Sequence, residues 1–379
     1  MKKEHKILLA VAIFYFLYLV LFLGKFDFNP SAAIFLGDEN LNKYSENLSP
    51  NLVVLKNNTG YDGQIYYLMA VALPQYSQFK PLRYQRILYP ALAYLLAFGN
   101  IKLISWSLML INYFAIILGV YFLLLILKNH GANLYLALLW AFNVGFLATV
   151  NKDLIEPLLY LLVILIFYFL EKKKFFISSL FLALALFTKE IALAVALPLL
   201  IYFLVKKQFK NVLIYFWPLV LYFAWQLVLF FWFKSSGLLV SQKANLTFPF
   251  FNLAEYIFKI DPAKMVQTLN SFYDYNVIIL LAFVLFSLFI FLRQNFKLTL
   301  YSLLFIFQII LFFSIKNELY FSHVDNAGRL VMGLFLFYLL YVAERKEKYN
   351  LLLAGLNLVL SINYLYWTIF IFKADYFLI

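Results

Sequence analysis

The stretch KLISWSLMLINYFAIILGVYFLLLIL, residues 102–127, carries no charge after its first residue, and the next charged residue is Lys128. About 20 apolar residues suffice to cross a hydrocarbon layer of ~30 Å, so this run reads as a membrane-spanning helix. Similar runs occupy residues 7–24, 134–150, 154–170, 175–187, 191–205, 212–233, 277–292, 298–315, 330–343 and 351–372. They predict an all-α polytopic membrane protein with about eleven transmembrane helices. Two shorter stretches, 61–73 and 86–98, have helical patterning and read as interfacial helices in a first long loop.

Composition agrees with that reading. The 379 residues are 65% hydrophobic and only 13% charged, with a mean hydropathy of +0.86. A soluble core cannot hide that much apolar surface, whereas lipid-facing helices leave it in contact with lipid. The first run follows a basic Met1 to Lys6 segment without a small-residue cleavage site, so it reads as an uncleaved anchor. There is no Cys, which removes disulfides, thiolate metal sites and Cys nucleophiles.

The net charge of +13 is first a statement about sidedness. If 86–98 lies in the interface, every short basic turn falls on one side: residues 1–6, 128–132, 171–174, 206–210, 293–297 and 344–349. These turns hold 15 of the 31 Lys and Arg but only 4 of the 18 acidic residues. The positive-inside rule then makes the N-terminus cytoplasmic and the C-terminus external, in the cytoplasmic (inner) membrane. Plentiful Lys, Asn, Phe and Ile suit a prokaryotic source. Two long loops, 25–101 and 234–276, fall outside, where chemistry or recognition is expected. The whole chain reads as a single membrane domain, residues 1–379, with nothing directed at nucleic acid.

Four polar groupings stand at the outer ends of these runs, where each charge needs a partner or a purpose. The densest is Tyr61-Asp62-Gly63-Gln64-Ile65-Tyr66-Tyr67, followed by Arg83-Tyr84-Gln85-Arg86-Ile87-Leu88-Tyr89-Pro90. Asp62 and Tyr66 are four apart and Arg83 and Arg86 three apart, spacings that share a helical face. A carboxylate near two guanidinium groups at a bilayer surface suits a phosphate-bearing lipid and a hydroxyl nucleophile. Equally, Asp62-Gly63 could be a turn and the two Arg could hold headgroups.

The second grouping is Asn151-Lys152-Asp153-Leu154-Ile155-Glu156-Pro157. Asp153 could cap the following helix with Glu156 as its third residue, or these carboxylates could belong to a site. Thr188-Lys189-Glu190 lies between two short apolar runs that read as a partly crossing hairpin; Lys189 could pair with Glu190 at its tip or neutralise phosphate. In His323-Val324-Asp325-Asn326-Ala327-Gly328-Arg329, Arg329 opens a span and could snorkel to headgroups or face the bundle. His5, His130 and His323 are too scattered for a zinc site. Asp38, Glu39 and Glu46 could join Asp62 in holding a divalent cation, and no other cofactor is called for. Glycan-acceptor patterns begin at Asn47, Asn57 and Asn245.

Taken in order, Asp62-Gly63-Gln64-x-Tyr66-Tyr67, Arg83-Tyr84-x-Arg86-Ile87-Leu88-x-Pro90, Asp153-x-x-Glu156-Pro157 and Thr188-Lys189-Glu190 resemble motifs of bacterial and archaeal GT-C superfamily integral-membrane glycosyltransferases. The resemblance covers residues 1–235 and their loop 25–101. Residues 236–379, with the loop 234–276, match in hydropathy and in Asn326-x-Gly328-Arg329. It implies a GT-C-like bundle that moves a sugar from a polyprenyl-phosphate donor to a glycan or lipid acceptor on the external face. Asp62 matches the family's acidic residue near the acceptor and would be the base, with Asp153 as second carboxylate or metal ligand. Arg83, Arg86, Lys189 and Arg329 would hold phosphate, and Tyr61, Gln64, Tyr66, Lys152, Glu156 and Glu190 would complete the substrate site. No large C-terminal soluble domain follows, so acceptor choice is expected to rest on 234–276 or on a partner. The alternative is a transporter or flippase of a lipid-linked or anionic substrate, which would place polar groups at mid-membrane in discontinuous helices.

Overall fold

The computed structural model describes residues 2–39, 48–72, 81–237, 247–248, 251, 281–282, 284–289, 291–292, 299–315, 324–346 and 351–379. Most of the loop 234–276, parts of the run 277–292, and Glu46, Asn47, Asn245 and His323 lie outside the described residues. What is described is mostly helical. The first long helix is α1 (Lys3–Leu23), and α2 (Asp62–Val71), α3 (Pro81–Tyr84) and α4 (Leu88–Leu96) follow in the first loop. After them come α5 (Ile104–Asn129), α6 (Leu136–Ala141), α7 (Val144–Val150), α8 (Glu156–Glu171), α9 (Phe175–Thr188), α10 (Leu193–Val205) and α11 (Phe209–Phe233). The last three are α12 (Leu300–Phe313), α13 (Val324–Arg345) and α14 (Leu351–Tyr366).

Four helical segments among the described residues are long and apolar enough to cross a membrane: Lys3–Phe26, Ile101–Asn129, Phe209–Phe233 and Leu352–Ile371. The expected count near eleven treats every apolar run as a span, and the structure separates two kinds of run. Helix α11 exposes Leu213, Phe216, Leu227, Phe231 and Trp232, an apolar surface suited to lipid. Helix α8 is instead buried along its length from Glu156 to Phe167, and α13 from Val331 to Ala343. These helices are apolar all round because protein encloses them. At 1.5 Å per residue, α9 and α10 are only about 20 Å long, short of a ~30 Å hydrocarbon layer. Helix α4 has nine residues, so the stretch 86–98 does not form a spanning helix.

The run 134–150 is also two helices rather than one. The chain breaks at Phe142-Asn143, where Asn143 accepts a hydrogen bond from Gly145 N and its amide donates to Asn357 of α14. An Asn side chain that caps the second helix leaves no continuous backbone ladder through the break.

Helix α5 packs on α8, α8 on α9, α9 on α11, and α12 on α13. Helix α13 crosses α7 closely. A Cβ on Gly145 would stand 2.6 Å from the Gly328 carbonyl oxygen, and one on Gly328 would stand 2.9 Å from Val144. Two residues without side chains let the backbones meet, and the approach brings Arg329 into the interior.

A three-stranded sheet departs from the purely helical expectation. Strand β1 (Leu36–Gly37) runs parallel to β2 (Val53–Leu55), and β3 (Tyr376–Leu378) pairs antiparallel with β2. Leu36 faces Val54, and Val54 faces Phe377. Lys25 at the end of α1 donates to the carbonyl oxygens of Thr368 and Phe372, at 2.7 and 2.8 Å. The C-terminal segment is therefore fastened to the first loop.

At the opposite end, Lys128 pairs with Glu4 at 2.6 Å, His130 with Glu171 at 2.7 Å, and the Tyr301 hydroxyl donates to Glu171 at 2.8 Å. Three of the short charged turns, together with the start of α12, therefore meet at one end of the bundle.

Candidate functional site

Helix α2 begins at Asp62, with Tyr61 at its cap in extended conformation and anchored by its N–H to the Phe35 carbonyl at 3.0 Å. Gly63 comes next because the chain passes directly under another segment. A Cβ there would lie 2.2 Å from the Lys152 carbonyl oxygen and 2.8 Å from that of Ile34. This contact seats α2 on the turn between α7 and α8, so the first and second motifs share one site.

Asp62 then meets two cations from distant parts of the chain. Arg83 Nη1 is 2.9 Å from Oδ1, and Arg329 Nη2 is 3.5 Å from Oδ2. Arg329 also donates through Nε to Glu156 Oε1 at 2.7 Å and through Nη1 to the Tyr61 hydroxyl at 3.3 Å. Lys189 Nζ donates to the same Glu156 oxygen at 2.7 Å. The Tyr61 hydroxyl donates to Asn326 Oδ1, and the Lys152 ammonium stands 4.3 Å above the Tyr61 ring.

Arg86 and Glu190 form the next pair. Arg86 donates Nε to Oε2 at 2.8 Å and Nη2 to Oε1, a two-pronged arrangement. Its Nη1 donates to the Tyr66 hydroxyl at 3.2 Å. Arg83 and Arg86, three apart in sequence, thus serve different carboxylates. The reason is local: α3 ends at Tyr84, so the two do not share a helix. Lys189 and Glu190 likewise part company, one going to Glu156 and the other to Arg86.

Among the described residues, the four groupings converge on one network that holds the cations Arg83, Arg86, Lys152, Lys189 and Arg329 and the carboxylates Asp62, Glu156 and Glu190. Burial acts to raise the pKa of Asp62, but Arg83, Arg329, Arg86 and Lys189 outweigh it and hold the carboxyl well below the usual range. Asp62 is therefore ionised and, while both arginines hold it, a weak base.

Asp153 is different in kind. It is fully buried, lies at φ 45°, and neither oxygen has a hydrogen-bond partner among the described residues. Burial alone pushes its carboxyl well above the ordinary value, which favours the neutral form. It caps nothing, since α8 starts at Glu156 with Ile155 at the cap and no side-chain cap bond. The remaining oxygen of Glu156, Oε2, is also buried without a partner among the described residues. Buried acceptors of this kind call for a donor that a bound molecule can bring.

Of the residues expected in the site, Gln64 is absent from the network. Its amide nitrogen donates to the Thr59 carbonyl at 2.9 Å and its oxygen accepts from Gly37 N at 3.4 Å, so it latches α2 to the loop. Asp38 accepts from the N–H groups of Asn57 and Asn58, at 2.9 and 3.1 Å. Among the described residues no group of three or more His, Cys, Asp or Glu side chains is arranged to hold a metal ion. Asp153 stands apart from the network in a polar region formed with α4 and α5. There the Tyr89 hydroxyl donates to the Leu108 carbonyl at 3.1 Å and accepts from Asn112 at 2.8 Å. Sequence reasoning missed Phe35, whose ring lies under the Lys152 ammonium at 5.6 Å. It also missed Asn112, an isolated amide in an apolar helix.

No family model, no curated protein and no solved structure matches this chain.

Proposed function

We propose that the protein is a membrane glycosyltransferase that moves a sugar from a polyprenyl-phosphate-linked donor to a cell-envelope acceptor on the external face. The observation that carries this reading is the partly buried network around Asp62, where Arg83 and Arg329 both reach one carboxylate and Arg86 and Lys189 stand near it. In such a transfer the acceptor oxygen bonds to the anomeric carbon and its proton passes to a carboxylate. The bond from the anomeric carbon to the phosphate oxygen breaks, and a dianionic lipid phosphate leaves. The leaving group needs no acid; it needs cations placed where charge develops.

Asp62 is held by Arg83 and Arg329. Donor phosphate competes for those guanidinium groups, and each one drawn away lets the Asp62 pKa rise toward the ordinary range. The base is thereby released only when donor is present, which limits wasteful chemistry. Lys189 and Arg86 supply further positive charge, and Glu156 Oε2 is an acceptor for a sugar hydroxyl.

The test is transfer by the purified chain in lipid nanodiscs, with radiolabelled polyprenyl-phosphate glucose, mannose and arabinose as donors and an envelope extract as acceptor. The expected result is sugar released from at least one donor, lowered by about 100-fold or more in Asp62→Asn with unchanged gel-filtration behaviour. No release from any donor, or passage of intact lipid between leaflets, overturns the reading, and the latter favours a flippase.

A further inference from the structure

A cleft of about 400 Å³ opens at the start of α5, and Asp27, Ser31, Asn51, Lys102, Ser105 and Trp106 are among its lining residues. None of its lining residues belongs to the charge network. The two are neighbours through the segment Pro30–Ile34: Ser31 lines the cleft, and the Ile34 carbonyl backs Gly63 beside Asp62. The volume falls in the range of small-molecule sites.

The chemistry of the lining is specific. Ser105 is 4% exposed, yet its hydroxyl makes no hydrogen bond among the described residues. The Lys102 ammonium and the Trp106 indole N–H are likewise unpaired there, and Trp106 is 43% exposed. The same lining carries acceptors: Asp27, one carboxylate oxygen of which accepts from the Tyr376 hydroxyl, and Asn51, which is exposed. Asn29 is used internally, by Asn51 O, Ser31 N and Ser31 Oγ, and fixes the loop that carries them.

A ligand for this cleft must offer both donors and acceptors at short intervals and present a flat apolar face to an indole. A bare anion does not fit, because the lining carries one acidic residue, Asp27, for its one basic residue, Lys102. A sugar ring fits on every count: each hydroxyl is donor and acceptor, and the C–H face of the ring stacks on Trp. We infer that this cleft is a carbohydrate-binding site that takes a ring or two of a glycan. Its role as the acceptor's subsite rests on the transferase reading; its binding of sugar does not.

The experiment is saturation-transfer NMR on the full chain in nanodiscs with cellobiose, mannobiose and chitobiose, and with inorganic phosphate as competitor. The expected result is saturation of at least one disaccharide, not displaced by phosphate. The signal falls by about five-fold or more in Trp106→Ala and is largely kept in Trp106→Phe, which restores a flat ring. Asp62→Asn, which abolishes transfer if the proposed function holds, leaves this signal unchanged, so failure of one reading is separable from failure of the other. No saturation with any disaccharide, displacement by phosphate, or equal signal in Trp106→Ala overturns the inference and leaves Trp106 an interfacial anchor.

Discussion

Asp153 shows how far a sequence pattern can be read at a single residue. The spacing Asp153-x-x-Glu156 matches a capping box, which needs an extended backbone at the cap. The structure puts Asp153 in the left-handed region at φ 45°, a conformation that Asp and Asn tolerate better than most residues. Its carboxyl points to no protein donor and keeps its proton because burial raises its pKa. The sign of the pH effect follows. Above about pH 4 the unfolded chain has lost this proton while the folded chain retains it, so stability falls as pH rises toward the raised folded value. Asp153→Asn removes the titration and keeps the backbone preference. Thermal unfolding in detergent should therefore show the variant more stable than the parent at about pH 7 and equal to it near pH 4. The same difference at both values would mean that Asp153 is ionised in the fold. Asp62 and Arg329, by contrast, both stand out in the sequence as site candidates. Their pairing does not, because 267 positions separate them and no local rule spans that distance.

At the scale of elements, α2 is the piece that the periodicity located and the packing positioned. Its helical face, with Asp62 and Tyr66 four apart, is plain from spacing. Its seat is not, since Gly63 reads equally as a turn residue. Only the structure gives the reason for glycine there: the Lys152 carbonyl occupies the space where a Cβ would be. Backbone on both sides cannot yield as a flexible side chain would. Gly63→Ala should therefore cost about 1–3 kcal/mol and tilt α2 away from the turn, lowering the thermal midpoint and transfer activity together. Gly355→Ala in α14 is the control. Its added Cβ meets nothing within 4 Å, and a helical Gly→Ala change gains about 0.5–1 kcal/mol. An unchanged midpoint in Gly63→Ala would show that α2 is not held by this contact. The break between α6 and α7 was illegible for a related reason. Asn143 sits in an apolar run, and its partner Asn357 lies 214 positions away.

At the scale of the molecule, the ends of the bundle differ in chemistry. One end joins Glu4, Lys128, His130, Glu171 and Tyr301, residues of or beside the short basic turns. The other holds the charge network, the sheet and the carbohydrate cleft. The proposed orientation, basic end inside, is directly testable because the chain has no Cys. A single Lys172→Cys on the first end should react with a membrane-impermeant maleimide only after lysis. Phe98→Cys, at a residue 91% exposed beyond α4, should react in intact spheroplasts. Labelling of Lys172→Cys in intact spheroplasts would invert the orientation. What the sequence determined by itself was the helical membrane class, the separation of basic turns from polar motifs, and most of the charged residues that meet around Asp62. Hydropathy and short-range spacing encode these, since each depends on neighbours within one or two helical turns. The tertiary structure alone decided which apolar runs are enclosed by protein, where Asn143 breaks a helix, that β3 returns to the first loop, and which cation meets which carboxylate. Those outcomes depend on contacts well beyond helical-turn spacing, from Lys189 and Glu156, 33 positions apart, to Lys25 and Phe372, 347 apart, where burial and charge pairing act together, and no local pattern in the chain records them.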